Sequence, residues 1–149
     1  MTSYQFLLIF HIAFTAVWFG GSLSNAGRLR RGLALSGAEA KFSVDETARA
    51  MKISIIFGML TFASGLALIF SMGGFDRVGK NIHISMGIVL LMLLLDVTLI
   101  RCAFGKLAAI VRSGEDLSGT ACYKKKLAML GGIKQLLWLV VLGLMVIKS

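Results

Sequence analysis

The chain contains no proline, two histidines and two cysteines in 149 residues. Without proline, a sharp bend in any helix has to come from glycine or from a polar group inserted into the backbone hydrogen-bond ladder. Charged residues are also scarce, at 15% of the chain, whereas about 25% is usual in soluble domains. Apolar residues make up 57%, so the composition argues against an ordinary soluble domain.

The apolar residues are grouped into four blocks, and each block contains at most one charged side chain. The two exceptions are Asp96 in the third block and Lys134 in the fourth. Each block approaches the roughly 20 residues with which a helix crosses a bilayer core of about 30 Å. The sequence therefore predicts an all-α, integral membrane four-helix bundle, formed by a single transmembrane domain over residues 1–149. The predicted spans cover residues 4–24, 53–74, 81–101 and 127–147.

The basic residues between the blocks predict the orientation of this bundle. Six lie between the first and second blocks, two between the second and third, and six between the third and fourth. Because Lys and Arg are retained in cytoplasmic loops, we expect an antiparallel bundle with both termini outside, in a multi-pass protein of the cell inner membrane. The first block lacks the basic segment of a secretory signal, so it is predicted to be a retained span.

The net charge of +9 suggests an anionic partner. In a soluble protein that partner would be nucleic acid, but here the basic residues lie in the connectors. We therefore expect the lipid bilayer and its anionic head groups as the partner, and no nucleic acid. Cys102 and Cys122 both fall on the predicted cytoplasmic side, where disulfides are rare, so free thiols are expected. Their spacing matches no zinc motif.

The connectors are expected to form surface structure. Residues 36–49 are predicted to be a separate surface helix, with a pattern at Ser43–Glu46 that resembles a capping box. Residues 113–126, which read SGEDLSGTACYKKK, are predicted to be a flexible, solvated loop.

Both histidines lie within predicted spans. Neutral imidazole is the commonest metal-ligating side chain, and ionisable groups inside a bilayer are costly and usually functional. At 1.5 Å per residue, His11 is expected roughly 10 Å, and His83 roughly 3–8 Å, below the outer surface. A similar depth is the geometric condition for two helices to ligate one centre. Each histidine taken alone could equally be hydrogen-bonded to a neighbouring helix.

Two histidines suit some centres better than others. A closed zinc site needs four N or S ligands, and the chain has no further histidine. Copper(I) could bind His11 and His83 together with the soft thioether of Met86, although methionine is also an ordinary packing residue. Haem b needs one or two axial imidazoles and a flat apolar slot. Arg77 and Lys80, just outside His83, could pair with haem propionates or remain solvated loop charges.

Three more side chains inside the spans are candidates for a site. Asp96 and Lys134 carry opposite charges at a similar predicted depth near the inner side, so we expect an intramembrane charge pair, because neither would be stable alone in lipid. A proton or substrate role is the alternative, and Lys134 could instead extend to the inner surface. Trp18 follows His11 by two helical turns on roughly the same face, so it is expected to line the same cavity.

Motifs in the first half of the chain resemble one family of membrane proteins. His11, Trp18–Gly21 and Arg28–Arg30 resemble the first helix of the HemJ-type protoporphyrinogen IX oxidases and of the wider CopD-like group. Arg49–Lys52 and the following Ser64–Gly65 resemble the second helix of that family.

The resemblance continues through the second half of the chain. The segment around His83 is similar to the third-helix motif, and the final span is similar to the last helix, so the likeness covers nearly the whole chain in order and spacing. Two family elements differ: Ser85 stands where the third-helix motif has a lysine, and Gly131–Lys134 stands where the family has Asn-Glu-x-Pro. The resemblance implies a four-helix membrane protein that binds haem b, with His11 and His83 as ligands.

The leading hypothesis is therefore a membrane haem b protein with a redox role. His11 and His83 would be axial ligands, Arg77 and Lys80 would hold the propionates, and Trp18 would line the pocket. Such a protein would pass electrons between a membrane-soluble donor, such as a porphyrinogen, and an acceptor such as quinone. As an enzyme it would be a haem-dependent oxidoreductase. The alternatives are a copper-handling or transport protein and a structural subunit of a larger complex. A homo-oligomer is compatible with each.

Overall fold

The computed structural model describes residues 3–32, 34, 37–114 and 119–147, and every regular element within these residues is helical. A 3-10 helix at Phe75–Arg77 precedes α3, and a π-helical segment at Asp96–Ile100 joins α3 to α4, so α3 and α4 form one long helix. Four helices are long and apolar enough to cross a membrane. The α-helices are α1 (Ser3–Gly32), α2 (Gly37–Ser71), α3 (Lys80–Leu95), α4 (Arg101–Ser113) and α5 (Thr120–Val146).

The second long helix begins well before the apolar block that predicted it. Residues 37–49 are the first part of α2, so the prediction of a separate surface helix was wrong, and the Ser43–Glu46 pattern lies inside the helix. Residue 36 lies outside the described residues. The reason is that the chain contains neither proline nor glycine between Gly37 and Gly58, and these are the residues that most strongly oppose a helix.

Most of the predicted third loop is also helical. α4 continues to Ser113 and is followed by Gly114, whose φ of 76° gives the left-handed cap with which helices commonly end. α5 begins at Thr120, so the sequence ACYKKK belongs to its first turns. The prediction of a flexible loop was wrong for these residues, and the predicted residues 115–118 lie outside the described part of the chain.

Two separate apolar cores hold the helices together. The bundle core lies within the apolar blocks, and the extension core joins the parts of α2 and α4 that extend beyond the predicted spans. In α4 the buried residues recur at intervals of three and four, which places them on one helix face. This burial explains why the segments are helices rather than loops. The bundle core contains Trp18, Val89, Met92, Leu93 and Val141. The extension core contains Ala40, Val44, Phe104, Leu107, Ala108 and Val111.

Gly58 permits the closest approach in the bundle core. α1 packs along α2, and the Trp18 ring of α1 lies against Gly58. A Cβ atom on residue 58 would lie 2.8 Å from Trp18 Cε2 and 3.0 Å from Leu93 Cδ2, which is too close for a carbon–carbon contact. The absent side chain therefore leaves the space that the indole fills, and it fixes where Trp18 lies between α1, α2 and α3.

Candidate functional sites

His11 is half-buried and bonded to α2. Its Nδ1 lies 2.9 Å from Ser64 Oγ, and the Ser64 hydroxyl donates to the carbonyl oxygen of Thr61 at 3.0 Å. Because the single hydroxyl proton is directed to that carbonyl, Oγ accepts from His11, and Nδ1 carries the proton. The lone pair of the neutral ring is then on Nε2, which is the tautomer that can ligate a metal through that nitrogen.

A small residue on α2 brings His11 close to a methionine of α3. A Cβ atom on Gly65 would lie 3.1 Å from His11 Cε1 and 3.6 Å from Met86 Sδ. Gly65 is buried, so the imidazole edge and the thioether both approach the same point on its backbone. The two side chains thus border one gap that a methyl group on residue 65 would narrow.

His83 is exposed and lies one helical turn before Met86 on α3. Its Nδ1 lies 3.2 Å from the carbonyl oxygen of Gly79. A carbonyl can only accept, so Nδ1 donates, and the lone pair of the neutral ring is again on Nε2. Its ring also lies 5.7 Å from the ring of Phe75, in the 3-10 helix. Among the described residues, no hydrogen bond or ring contact joins His83 to His11.

The two predicted propionate partners lie near the start of α3. Arg77 and Lys80 are both exposed. The aliphatic part of Arg77 folds back over Gly73, whose φ of 101° is open to glycine: a Cβ there would lie 2.6 Å from Arg77 Cδ. Their pairing with propionates stays a prediction.

Asp96, Lys134 and Trp18 form one buried polar cluster. Lys134 Nζ lies 2.5 Å from Asp96 Oδ2, and Trp18 Nε1 donates to the same oxygen at 3.0 Å. The Lys134 ammonium also lies 4.9 Å from the centre of the Trp18 ring, within the range of a cation–π contact. The exposed fractions are 6% for Asp96, 3% for Lys134 and 1% for Trp18. The pair that the charge pattern predicts is therefore present, and the indole completes it.

The helix geometry changes where this cluster forms. Asp96 is the first residue of the π-helical segment Asp96–Ile100. π-helical turns inside α-helices are rare and often occur at functional sites. In a chain without proline, this inserted turn is the irregularity of the third long helix, and it coincides with the polar group of that helix.

A cavity of about 950 Å³ reaches the same cluster. Asp96 and Lys134 lie at its buried end, and the exposed residues Arg30, Arg31 and Lys124 lie at its open end. Apolar side chains from both cores and from α1 make up most of the wall between these ends. Neither histidine is among its lining residues, so the cavity and the histidine region are two different places in the described structure.

Comparisons with known proteins assign no family. No family model, no curated protein and no solved structure matches this chain. The described residues also contain no group of three or more His, Cys, Asp or Glu side chains that could hold a metal ion. A pair of histidines is smaller than such a group, so the ligand role of His11 and His83 stays a prediction.

Sequence reasoning placed Trp18 beside His11, whereas the structure bonds its indole to Asp96. The signal was present in the sequence: a buried indole N–H needs an acceptor, and Asp96 is the carboxylate within the apolar blocks. The prediction that Trp18 lines a cofactor pocket is not tested by this bond. The cavity and the role of Asn25, described below, have no sequence signal, because they depend on which helix faces meet.

Proposed function

We propose that this protein is an antiparallel four-helix protein of the cell inner membrane, with its N-terminus outside, that binds haem b and serves in electron transfer. His11 and His83 are the axial ligands of the proposal, and Arg77 and Lys80 are the partners of the propionates. The electron donor is a membrane-soluble molecule such as a porphyrinogen, and the acceptor is a quinone.

The observation that carries this proposal is the tautomer of the two imidazoles. Each ring donates from Nδ1 to an oxygen of the protein, His11 to Ser64 and His83 to Gly79. Such hydrogen bonds on the far nitrogen orient metal-ligating histidines and increase their basicity. Both rings therefore present an Nε2 lone pair, and the missing side chain of Gly65 leaves space beside the first of them.

The protein's part in this chemistry is to ligate, orient and shield. A bound haem would supply a one-electron carrier. Ser64 fixes the orientation of the His11 ring, and the carbonyl of Gly79 does the same for His83. Arg77 and Lys80 are exposed beside the start of α3, where cationic side chains can neutralise carboxylates at the head-group level.

An absorption spectrum of the detergent-purified protein tests the proposal. We expect a Soret band that shifts on reduction with dithionite and a pyridine haemochrome typical of haem b. His11→Ala and His83→Ala should each lose haem or change the spectrum, whereas Cys102→Ser, at an exposed free thiol, should not. If both histidine variants retain the native spectrum, or if the protein is colourless, the haem assignment is wrong.

A second candidate is copper handling, and one observation favours it. His11 and Met86 approach the same point beside Gly65, and a thioether with an imidazole is a donor set that suits Cu(I). Metal analysis separates the candidates: a colourless protein that retains copper, and loses it in Met86→Leu, supports this function. Haem binding that is unaffected by Met86→Leu supports the first.

A further inference from the structure

The cavity between the two cores has an excess of positive charge. Its lining contains Arg30, Arg31, Lys124, Lys125 and Lys134 as cations and Asp96 as its anion. Asp96 is paired with Lys134, so this end of the cavity is close to neutral. The other four cations form no ion pair with any carboxylate among the described residues. A ligand of this cavity should therefore carry negative charge at its open end.

The middle of the cavity calls for an apolar body. Leu29, Met51, Ile55 and Phe104 contribute to its wall. Lys134 follows Lys125 by nine residues on α5, so the polar ends are separated by about 14 Å along that helix at 1.5 Å per residue. The volume of about 950 Å³ lies within the usual range of roughly 300–1,000 Å³ for small-molecule sites. An inorganic anion alone would leave most of this space unfilled.

One unpaired acceptor makes the site more specific. Asn25 Oδ1 is buried, lines the cavity through its side chain, and receives no hydrogen bond from any described residue. A buried polar atom without a partner is costly, so a ligand that donates a hydrogen bond here would gain from it. Asn25 precedes Arg30 by five residues on α1, which places it about 8 Å deeper along the helix.

We propose that this cavity binds an amphipathic anion with a phosphate monoester head, an apolar body and a hydroxyl group close to the head. A phosphate monoester fits four cations better than a carboxylate does, because it carries a charge between about −1.5 and −2 and three acceptor oxygens. Arg30, Arg31, Lys124 and Lys125 bind the phosphate, Asn25 accepts from the hydroxyl, and the apolar wall holds the body. The site is independent of the histidines.

Direct binding to the full-length protein in a neutral detergent tests this proposal. The probe is radiolabelled oleoyl lysophosphatidic acid, which has a phosphate monoester, one free hydroxyl and a single acyl chain. We expect saturable binding that Arg30→Gln/Arg31→Gln and Lys124→Gln/Lys125→Gln each weaken by roughly tenfold or more, because each removes two charge-assisted contacts. Lys41→Gln/Lys52→Gln is the matched control, since both lysines are exposed and neither lines the cavity, and it should bind like the parent protein.

A second comparison isolates the hydroxyl contact. Asn25→Ala should weaken binding of lysophosphatidic acid several-fold but leave binding of the analogue without the hydroxyl group unchanged. Circular dichroism and gel filtration check that each variant is folded. His11→Ala should bind the probe normally, so failure of the haem proposal leaves this one intact.

Three results would overturn the proposal. Lysophosphatidylcholine, with its zwitterionic head, binding equally well would show that the phosphate monoester is not recognised. Inorganic phosphate displacing the probe at the same concentration as unlabelled probe would show a free-phosphate site in which the apolar body plays no part. Equal loss of binding in the cavity and control variants would show attraction by net charge only.

Discussion

The buried cluster of Asp96, Lys134 and Trp18 allows a quantitative prediction. In Lys134→Met, the aliphatic volume is largely kept while the ammonium is removed. Asp96 then keeps only the Trp18 N–H as a described partner and lies 6% exposed without a counter-charge. We expect the variant to be less stable than the parent protein because a buried carboxylate has lost its charge partner.

The size of the effect follows from this burial. Removal of one partner of a buried ion pair costs about 3–5 kcal/mol, and an Asp at the centre of a membrane helix costs about 2.5–3.5 kcal/mol. Trp18 still donates to Asp96, so we expect the lower end, about 3 kcal/mol. For a chain of this size that corresponds to a Tm lower by about 6–12 °C, measured by circular dichroism in detergent.

The double variant shows whether charge is the cause. Asp96→Asn/Lys134→Met removes both charges, and replacement of a whole buried pair is often close to neutral, so it should regain at least half of the stability lost in Lys134→Met. Lys106→Met is the matched control, since Lys106 is exposed on α4, and it should change stability by less than about 0.5 kcal/mol. Equal stability of Lys134→Met and Lys106→Met would refute the reasoning.

Three further predictions use matched positions on the same helices. Gly58→Ala should destabilise by about 1–3 kcal/mol, because its Cβ would lie 2.8 Å from the buried indole, whereas Gly20→Ala, with no atom within 4 Å, should be neutral or slightly stabilising in the same melting experiment. Ser64→Ala should keep the proposed haem but shift its reduction potential in a redox titration, because the hydrogen bond that orients His11 is lost; an unchanged potential would contradict that role. Cys102 and Cys122 are exposed free thiols, so an impermeant maleimide should label both in inverted vesicles and neither in intact cells. Labelling from outside would contradict the proposed orientation.

The apolar blocks predicted the number of long helices but not their length. Hydropathy identifies the part of a helix that matches the bilayer, and it is silent about a helix that continues beyond it. The missing signal was a second periodicity: Phe104, Leu107, Ala108 and Val111 recur at helical spacing between charged residues. A helix of this kind is stabilised by burial of one face, which requires knowing that the extensions of α2 and α4 meet.

The candidate sites divide in the same way between chemistry and contact. The pair of Asp96 and Lys134 could be predicted because isolated charges in an apolar block have few alternatives. The partners of His11 and the bond between Trp18 and Asp96 could not be predicted with the same force, because serine, threonine and glycine occur on every helix. Which of them faces an imidazole depends on helix rotation, and a helical sequence specifies rotation only through packing.

The position of the cavity connects these observations. It lies where the bundle core gives way to the extension core, with Met51 and Phe104 on one side and the pair of Asp96 and Lys134 at its end. The π-helical segment begins at Asp96 and ends one residue before α4. An inserted turn rotates the helix face by one residue relative to a regular α-helix, so α3 can present apolar residues to the bundle core while α4 presents a different set to the extension core. The space between two such registers is difficult to fill with side chains, and Asp96, which marks the change of register, is where a ligand in that space would meet the buried ion pair.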